Sequence, residues 1–175
     1  MVQECLSLLQ AAGEGDRQRV FVDATFGAGG HSAALLDALP NSKVIALDAD
    51  PAAIERARVM ARKYPTRLIP RHANFGELGD ALDQSGQKIV DGILYDLGIS
   101  SLQLADSSRG FSFAGDQPLD MRLDPTSDEP SASDLLRTLP QGELEQLLRD
   151  YGDERHARSI ARSIVKRRPR VRTWR

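Results

Sequence analysis

Residues 20–32 read Val20-Phe21-Val22-Asp23-Ala24-Thr25-Phe26-Gly27-Ala28-Gly29-Gly30-His31-Ser32: a short β-branched and aromatic run ends in a carboxylate, enters a glycine turn and continues into a helical stretch, Ser32 to Leu39. Glycine belongs in such a turn because the chain must bend sharply and let a ligand approach the backbone with no Cβ in the way. The rest of the first hundred residues repeats the unit. Lys43 to Leu47 is a second buried strand closed by Asp48, and Asp50 and Pro51 read as N-cap and first residue of a helix to about Tyr64. A third strand over Leu68 to Pro70, a helix around Glu77 to Leu82 and a fourth strand from Val90 to Tyr95, closed by Asp96, continue the alternation. Strands alternating with helices predict an α/β fold with a parallel sheet covered by helices.

A doubly wound parallel sheet binds its ligand at the carboxyl ends of its strands, and Asp23, Gly27 to Gly30, Asp48 and Asp96 all fall there. The glycine spacing departs from the dinucleotide fingerprint: Gly30 follows Gly29 at once, and Ser32 stands where G-x-G-x-x-G has its last glycine, which disfavours a pyrophosphate ligand. Carboxylates framing the turn, Asp23 before it and Asp48 after it, suit a ligand with a cationic amino-acid end and a ribose diol. S-adenosylmethionine has both. The bland reading, a turn with a capped helix behind it, fits the glycines alone equally well. Phe75, beyond the third strand, suits stacking on an adenine or simply the core.

From Leu97 to Glu129 the chain is rich in Gly, Ser, Asp and Pro, a long loop of the kind that carries function. Helices then resume: Ser131 and Asp134 form a capping-box pattern, Leu144, Leu147, Leu148 and Tyr151 recur at helical spacing, and a last helix sets Ala157, Ile160, Ala161, Ile164 and Val165 opposite Arg155, Arg158, Arg162 and Lys166 before Pro169 stops it. Residues 1–150 hold 14 Lys+Arg and 23 Asp+Glu, net −9, and residues 151–175 hold 9 and 2, net +7. That asymmetry is a footprint of nucleic-acid contact or a solvated helix face followed by a tail. The single cysteine, Cys5, excludes an internal disulfide, no zinc spacing is present, and neither a signal peptide nor a membrane-spanning run is visible, so a cytoplasmic protein without a metal is expected.

Four blocks, Asp23 to Ser32, Leu47-Asp-Ala-Asp-Pro51, Asp91 to Ser101 with Gln103, and Arg109-Gly-Phe-Ser-Phe113 leading to Pro118-Leu-Asp-Met-Arg122, resemble the ribosomal small-subunit methyltransferase H family in order and spacing; a fifth, Tyr151 to Arg162, looks like that family's helical insertion. The resemblance implies a Rossmann-like methyltransferase core, S-adenosylmethionine as donor, and N4 of a cytidine in small-subunit ribosomal RNA as acceptor, with the RNA or the assembled small subunit as partner. It carries donor contacts onto Gly29, Gly30, His31, Asp48, Phe75, Asp96 and Gln103. His31 is expected to serve through its backbone N–H at the helix start, while His72 and His156 are read as ordinary surface residues. Asp96, at the end of the central strand, is the candidate for assembling donor and target nitrogen; Asp120 and Arg122 are candidates for orienting the base. The basic stripe Arg155, Arg158, Arg162 and Lys166 would hold the RNA backbone of a target base presented out of its stack.

The expected division is 1–125 for donor binding and 126–175 for the start of a helical, basic recognition segment. Because the family pattern continues past residue 168, the chain is expected to be an incomplete version of the enzyme, its sheet short of strands and its fourth strand an open edge. Two other classes remain: a non-catalytic RNA- or ribosome-associated remnant of the fold, and an NAD-dependent oxidoreductase, which the glycine spacing disfavours.

Overall fold

The computed structural model describes residues 2–11 and 17–168. They fall into two compact units, divided between Ser100 and Ser101. The first begins with α1 (Val2–Ala11) and continues β1 (Arg19–Asp23), α2 (Gly30–Ala38), β2 (Ser42–Asp48), α3 (Pro51–Ala61), β3 (Leu68–His72), α4 (Leu78–Gln84) and β4 (Gly92–Leu94). The second holds α5 (Ser101–Ala105), α6 (Ala132–Thr138), α7 (Gln141–Asp150) and α8 (Ala157–Arg167). No helix among the described residues is long and apolar enough to cross a membrane.

The sheet is parallel throughout, in the order β3-β2-β1-β4. Side chains alternate across it. Phe21, Val44 and Ala46 join Leu35, Leu36, Ala53 and Ala57 of α2 and α3 on one face, with Leu6 and Leu9 of α1 packed against them. Val22, Ile45 and Leu47 pack with Ala81 of α4 on the other. β2 is interior and covered on both faces, which is why Val44 to Leu47 reads as an unbroken apolar run. The architecture is the α/β, Rossmann-like arrangement expected.

Three local expectations are corrected. β4 spans three residues instead of six: at its start the Asp91 carboxylate takes the Val20 N–H (2.8 Å) and is itself gripped by Arg17, and past Leu94 its neighbour β1 has already turned away, so Asp96 N–H donates to the Thr25 hydroxyl (2.7 Å) in place of a ladder bond. The helix expected at Glu77 is preceded by a single 3-10 turn, Phe75–Glu77, capped by Asn74, whose side chain accepts from Gly76 N–H while Glu77 accepts from Asn74 N–H. β3 runs on through Pro70 to His72, tolerated because this strand is an edge and one missing N–H costs it little.

The loop from Leu97 to Glu129 is not structureless. It contains α5, and from Ser101 onward it belongs to the second unit, so the structural division precedes residue 125. The cause is a backbone and side-chain lattice: buried Arg109 donates to the carbonyls of Arg122 (3.0 Å) and Leu123 (2.7 Å), Met121 N–H donates to Arg109 O, and Ala132 and Ser133 at the start of α6 donate to Asp120 O and Leu119 O. The Ser131–Asp134 capping box forms as the spacing predicts. Leu144, Ala157 and Ala161 are buried, whereas Arg155, Arg158, Arg162 and Lys166 are exposed. Pro169 lies outside the described residues.

Candidate functional site

The glycine turn between β1 and α2 is built on two carboxylates that face different ways. Asp23 points inward. It is 3% exposed, accepts from the Ser32 hydroxyl (2.7 Å) and from Thr25 N–H (3.3 Å), and so ties the strand end to the first turn of α2. It does not frame an open site, as its position in the sequence suggested. Burial pushes the Asp23 carboxyl up from its ordinary range against the smaller pulls of Ser32, Thr25 and His31, and the Asp48 charge adds to the rise.

That shift has a consequence for stability. A carboxyl raised in the folded state holds its proton more tightly there than in the unfolded chain, so its ionisation opposes folding; the penalty is absent below the unfolded range, near pH 4, and grows as pH rises through the folded value. Asp23→Asn, which keeps an acceptor for Thr25 or Ser32, is therefore expected to gain stability relative to the native chain as pH is raised from about 4 to about 7. Urea midpoints at the two ends of that range measure it. A native-minus-variant difference constant across the range would show that Asp23 ionisation is uncoupled from folding.

Asp48, at the end of β2, faces the turn. Its Oδ2 accepts from Gly27 N–H (2.8 Å) and its Oδ1 from Asp50 N–H (2.9 Å). Each carboxylate oxygen has a second lone-pair direction, so Asp48 anchors the turn and retains acceptor capacity for a hydroxyl. Arg56 on α3 completes the anchor by donating from Nε to Gly27 O (3.1 Å). Gly27 and Gly29 sit at φ of 55° and 81°, the left-handed region that glycine enters without strain. Ala33 N–H to Gly29 O is the first bond of α2, so the N–H groups of Gly30 and His31 precede the intrahelical ladder. Gly30 is exposed, and a Cβ there would meet nothing within 4 Å.

Phe75 and Tyr95 meet at the carboxyl ends of the outer strands. Their rings stand edge to face, centroids 6.0 Å apart and planes at 88°, and both are exposed, 43% and 46%. Asp96, next along, is exposed with its backbone held by Thr25; its Oδ2 lies 3.7 Å from His31 Nδ1. The first unit therefore assembles Gly29, Gly30, His31, Asp48, Phe75 and Asp96 along one edge of the sheet. Thr25, Arg56 and Tyr95 were not singled out in the sequence. For Tyr95 the available signal was an aromatic placed directly before a strand-closing aspartate.

The other candidates lie in the second unit. Gln103 is on α5, 8% exposed. Asp120 gives both carboxylate oxygens to Arg122 (2.9 and 2.8 Å), whose remaining arm reaches Ser127 O (2.9 Å) and Glu129 O (3.3 Å). The Arg122 hydrogen bond holds the Asp120 carboxyl below the usual range, which makes it a poor proton acceptor. His72 Nε2 lies 2.9 Å from Ala49 O, and His156 precedes α8.

Open N–H groups on glycine backbone, an anchored carboxylate with spare lone pairs and an exposed aromatic corner form a donor set that fits an adenosyl amino acid: carboxylate for ribose, aromatic for adenine, N–H groups for a terminal carboxylate. The model of the MraW methylase family matches residues 1–173. A Thermomicrobium roseum protein named ribosomal RNA small subunit methyltransferase H is 53% identical over 151 residues, 86% of this chain and 46% of its own length. Proteins of the same name from Beutenbergia cavernae (46% identical over 168 residues; 96% of this chain, 50% of that one) and Mycobacterium tuberculosis (44% over 179 residues; 98% and 45%) are also similar. The chain spans about half the length of the curated relatives it matches. It belongs to the MraW methylase family.

Proposed function

We propose that this chain is the donor-binding part of a cytoplasmic S-adenosylmethionine-dependent methyltransferase that modifies N4 of a cytidine in small-subunit ribosomal RNA, with residues 1–125 serving the donor and the basic helical segment 126–175 serving the RNA. The observation that carries the reading is the gathering of Gly30, His31, Asp48, Phe75 and Asp96 on one sheet edge, in a chain whose relatives carry the methyltransferase name. When bound, S-adenosylmethionine supplies an electrophilic methyl group. The chain's own residues do the holding: Asp48 accepts from a ribose hydroxyl, Phe75 faces the adenine, the first N–H groups of α2 receive the carboxylate, and Asp96 accepts from an amino group; Gln103 is added to the donor contacts by the family resemblance alone. The cytosine amine is a weak nucleophile because its lone pair is delocalised into the ring, so alignment is the main contribution asked of the protein, a source of about 7–11 kcal/mol in favourable cases. Asp120 is better read as the clamp of the 120–129 loop than as a group in the chemistry, since the Arg122 guanidinium pairs with it and holds its carboxyl below the usual range, which leaves it a poor proton acceptor.

Calorimetric titration with S-adenosylmethionine, with NAD as control, tests the donor site. Saturable donor binding and no NAD binding are expected; NAD binding alone would reassign the turn to a dinucleotide, and no binding of either by folded protein would remove the reading.

The exposed stripe on and before α8 carries the RNA part. Arg158→Glu with Arg162→Glu is expected to weaken RNA binding roughly tenfold to a hundredfold and to lower the salt slope by about 2, with donor affinity unchanged. Filter binding at several salt concentrations reads both, and unaltered RNA affinity would return the stripe to a solvated face.

A further inference from the structure

We propose that the His31 imidazole is a positioning group for Asp96, a role distinct from the donor contact of the His31 backbone N–H and resting on the donor-site reading above. Three features of the first unit converge on the ring. Nδ1 faces the Asp96 carboxylate, 3.7 Å from Oδ2. Nε2 is buried and has no hydrogen-bond partner among the described residues. His31 lines a cavity of about 10 Å³, at the lower limit for one water and without the two or more polar partners beyond the ring that would hold it, whose walls are Val2, Cys5, Leu6 and Leu9 of α1 together with Leu35 and Leu94.

Those walls and the Asp96 carboxylate together decide where the ring proton sits. An N–H on Nε2 would be buried against apolar side chains with no strong acceptor; the one polar wall group, the Cys5 thiol, is a weak donor and suits a bare nitrogen lone pair. The proton therefore belongs on Nδ1, where it points at Asp96. At 3.7 Å the contact is electrostatic and short of a hydrogen bond. Closing it requires only a side-chain rotation of Asp96, because Thr25 already holds the Asp96 backbone (2.7 Å) and the carboxylate is exposed. Site contacts of this kind are often long without ligand and tighten when it arrives. Thr25 fixes the Asp96 backbone and His31 orients its carboxylate, so the glycine turn that receives the donor also aims the acid at the neighbouring strand end. α1 becomes part of the site by shielding the far side of the ring.

The experiment uses the 175-residue chain, which has three histidines, and reads two things. Long-range proton–nitrogen NMR of the labelled native chain is expected to show His31 in the Nδ1–H tautomer, and Asp96→Ala to shift it toward Nε2–H. Donor titration is expected to show His31→Ala weakened about tenfold and His31→Asn, whose amide places a donor near the Nδ1 position, within about twofold of native. An Nε2–H tautomer in the native chain, or equal donor affinity in the alanine and asparagine variants, overturns the proposal. If the native chain binds no donor, the donor-site reading has failed, and the tautomer and its response to Asp96→Ala alone decide the role of His31.

Discussion

Gly29→Ala is expected to destabilise the chain by about 2–5 kcal/mol, a large share of the roughly 5–15 kcal/mol that holds a typical domain together. Two costs add. The backbone at position 29 has φ 81° and ψ 13°, where an L side chain is strained by about 1–2 kcal/mol. The new Cβ would also lie 2.5 Å from Phe26 Cζ and 2.6 Å from Met60 Cε. The methionine end can swing away, but Phe26 is 3% exposed and wedged into the core beneath the turn, so either its ring or the turn must move. Gly30→Ala is the control: its Cβ enters open space, and stability should stay within about 0.5 kcal/mol of native. Urea denaturation of both variants measures the contrast. Equal midpoints for Gly29→Ala and native would mean that the ring and the turn are far more yielding than this packing implies.

That contrast bears on how the glycines were legible in sequence. The sequence offers two reasons for glycine, a sharp bend and ligand approach, and at Gly30, exposed and open, the second fits. At Gly29 the demand comes from below: left-handed backbone and the Phe26 ring exclude a side chain whether or not a ligand is present. One motif thus combines two physical causes, and the sequence pattern merges them. The strand-closing aspartates show the same limit. Asp23, Asp48 and Asp96 all stand at carboxyl ends of strands, which their positions after apolar runs made plain. Which way each carboxylate faces depends on partners distant in sequence or on neighbours that could serve either role: Ser32 draws Asp23 inward, Gly27 N–H holds Asp48 at the turn, and Thr25 leaves the Asp96 side chain exposed.

That the sheet is parallel followed from strand–helix alternation, since a right-handed crossover through a helix returns each strand in the same direction; the order β3-β2-β1-β4 is a finding of the structure. Element ends were less legible. β4 is cut short by side chains substituting for ladder bonds, Asp91 at one end and Thr25 at the other, and no periodicity encodes such a substitution. In the 97–129 region the composition is that of a loop, yet buried Arg109 gathers the carbonyls of Arg122 and Leu123, and the Asp120–Arg122 pair gathers those of Ser127 and Glu129. Loops organised by arginine–carbonyl bonds carry no hydrophobic pattern. A family resemblance marks their residues as belonging to a signature without saying whether the signature binds or merely folds.

Asp48→Ala is expected to raise the donor dissociation constant roughly a hundredfold while lowering stability by no more than about 1 kcal/mol. The ribose contact alone, a charge-assisted hydrogen bond, would contribute about 1.5–3 kcal/mol. The structure adds a second loss, since the same carboxylate holds Gly27 N–H at 2.8 Å and the turn loosens without it. Stability suffers less because Arg56 still holds Gly27 O and because removing the Asp48 charge relieves its repulsion of buried Asp23. The two losses separate with a donor analogue lacking the ribose hydroxyls. The analogue should bind native protein more weakly than the donor does, yet bind Asp48→Ala with nearly the donor's affinity, and whatever affinity loss then remains belongs to the turn. Calorimetric titration of both ligands against both proteins completes the cycle. Additive losses would place Asp48 outside the ribose site and leave it only the turn, whereas an unchanged donor affinity in Asp48→Ala would deny it both roles.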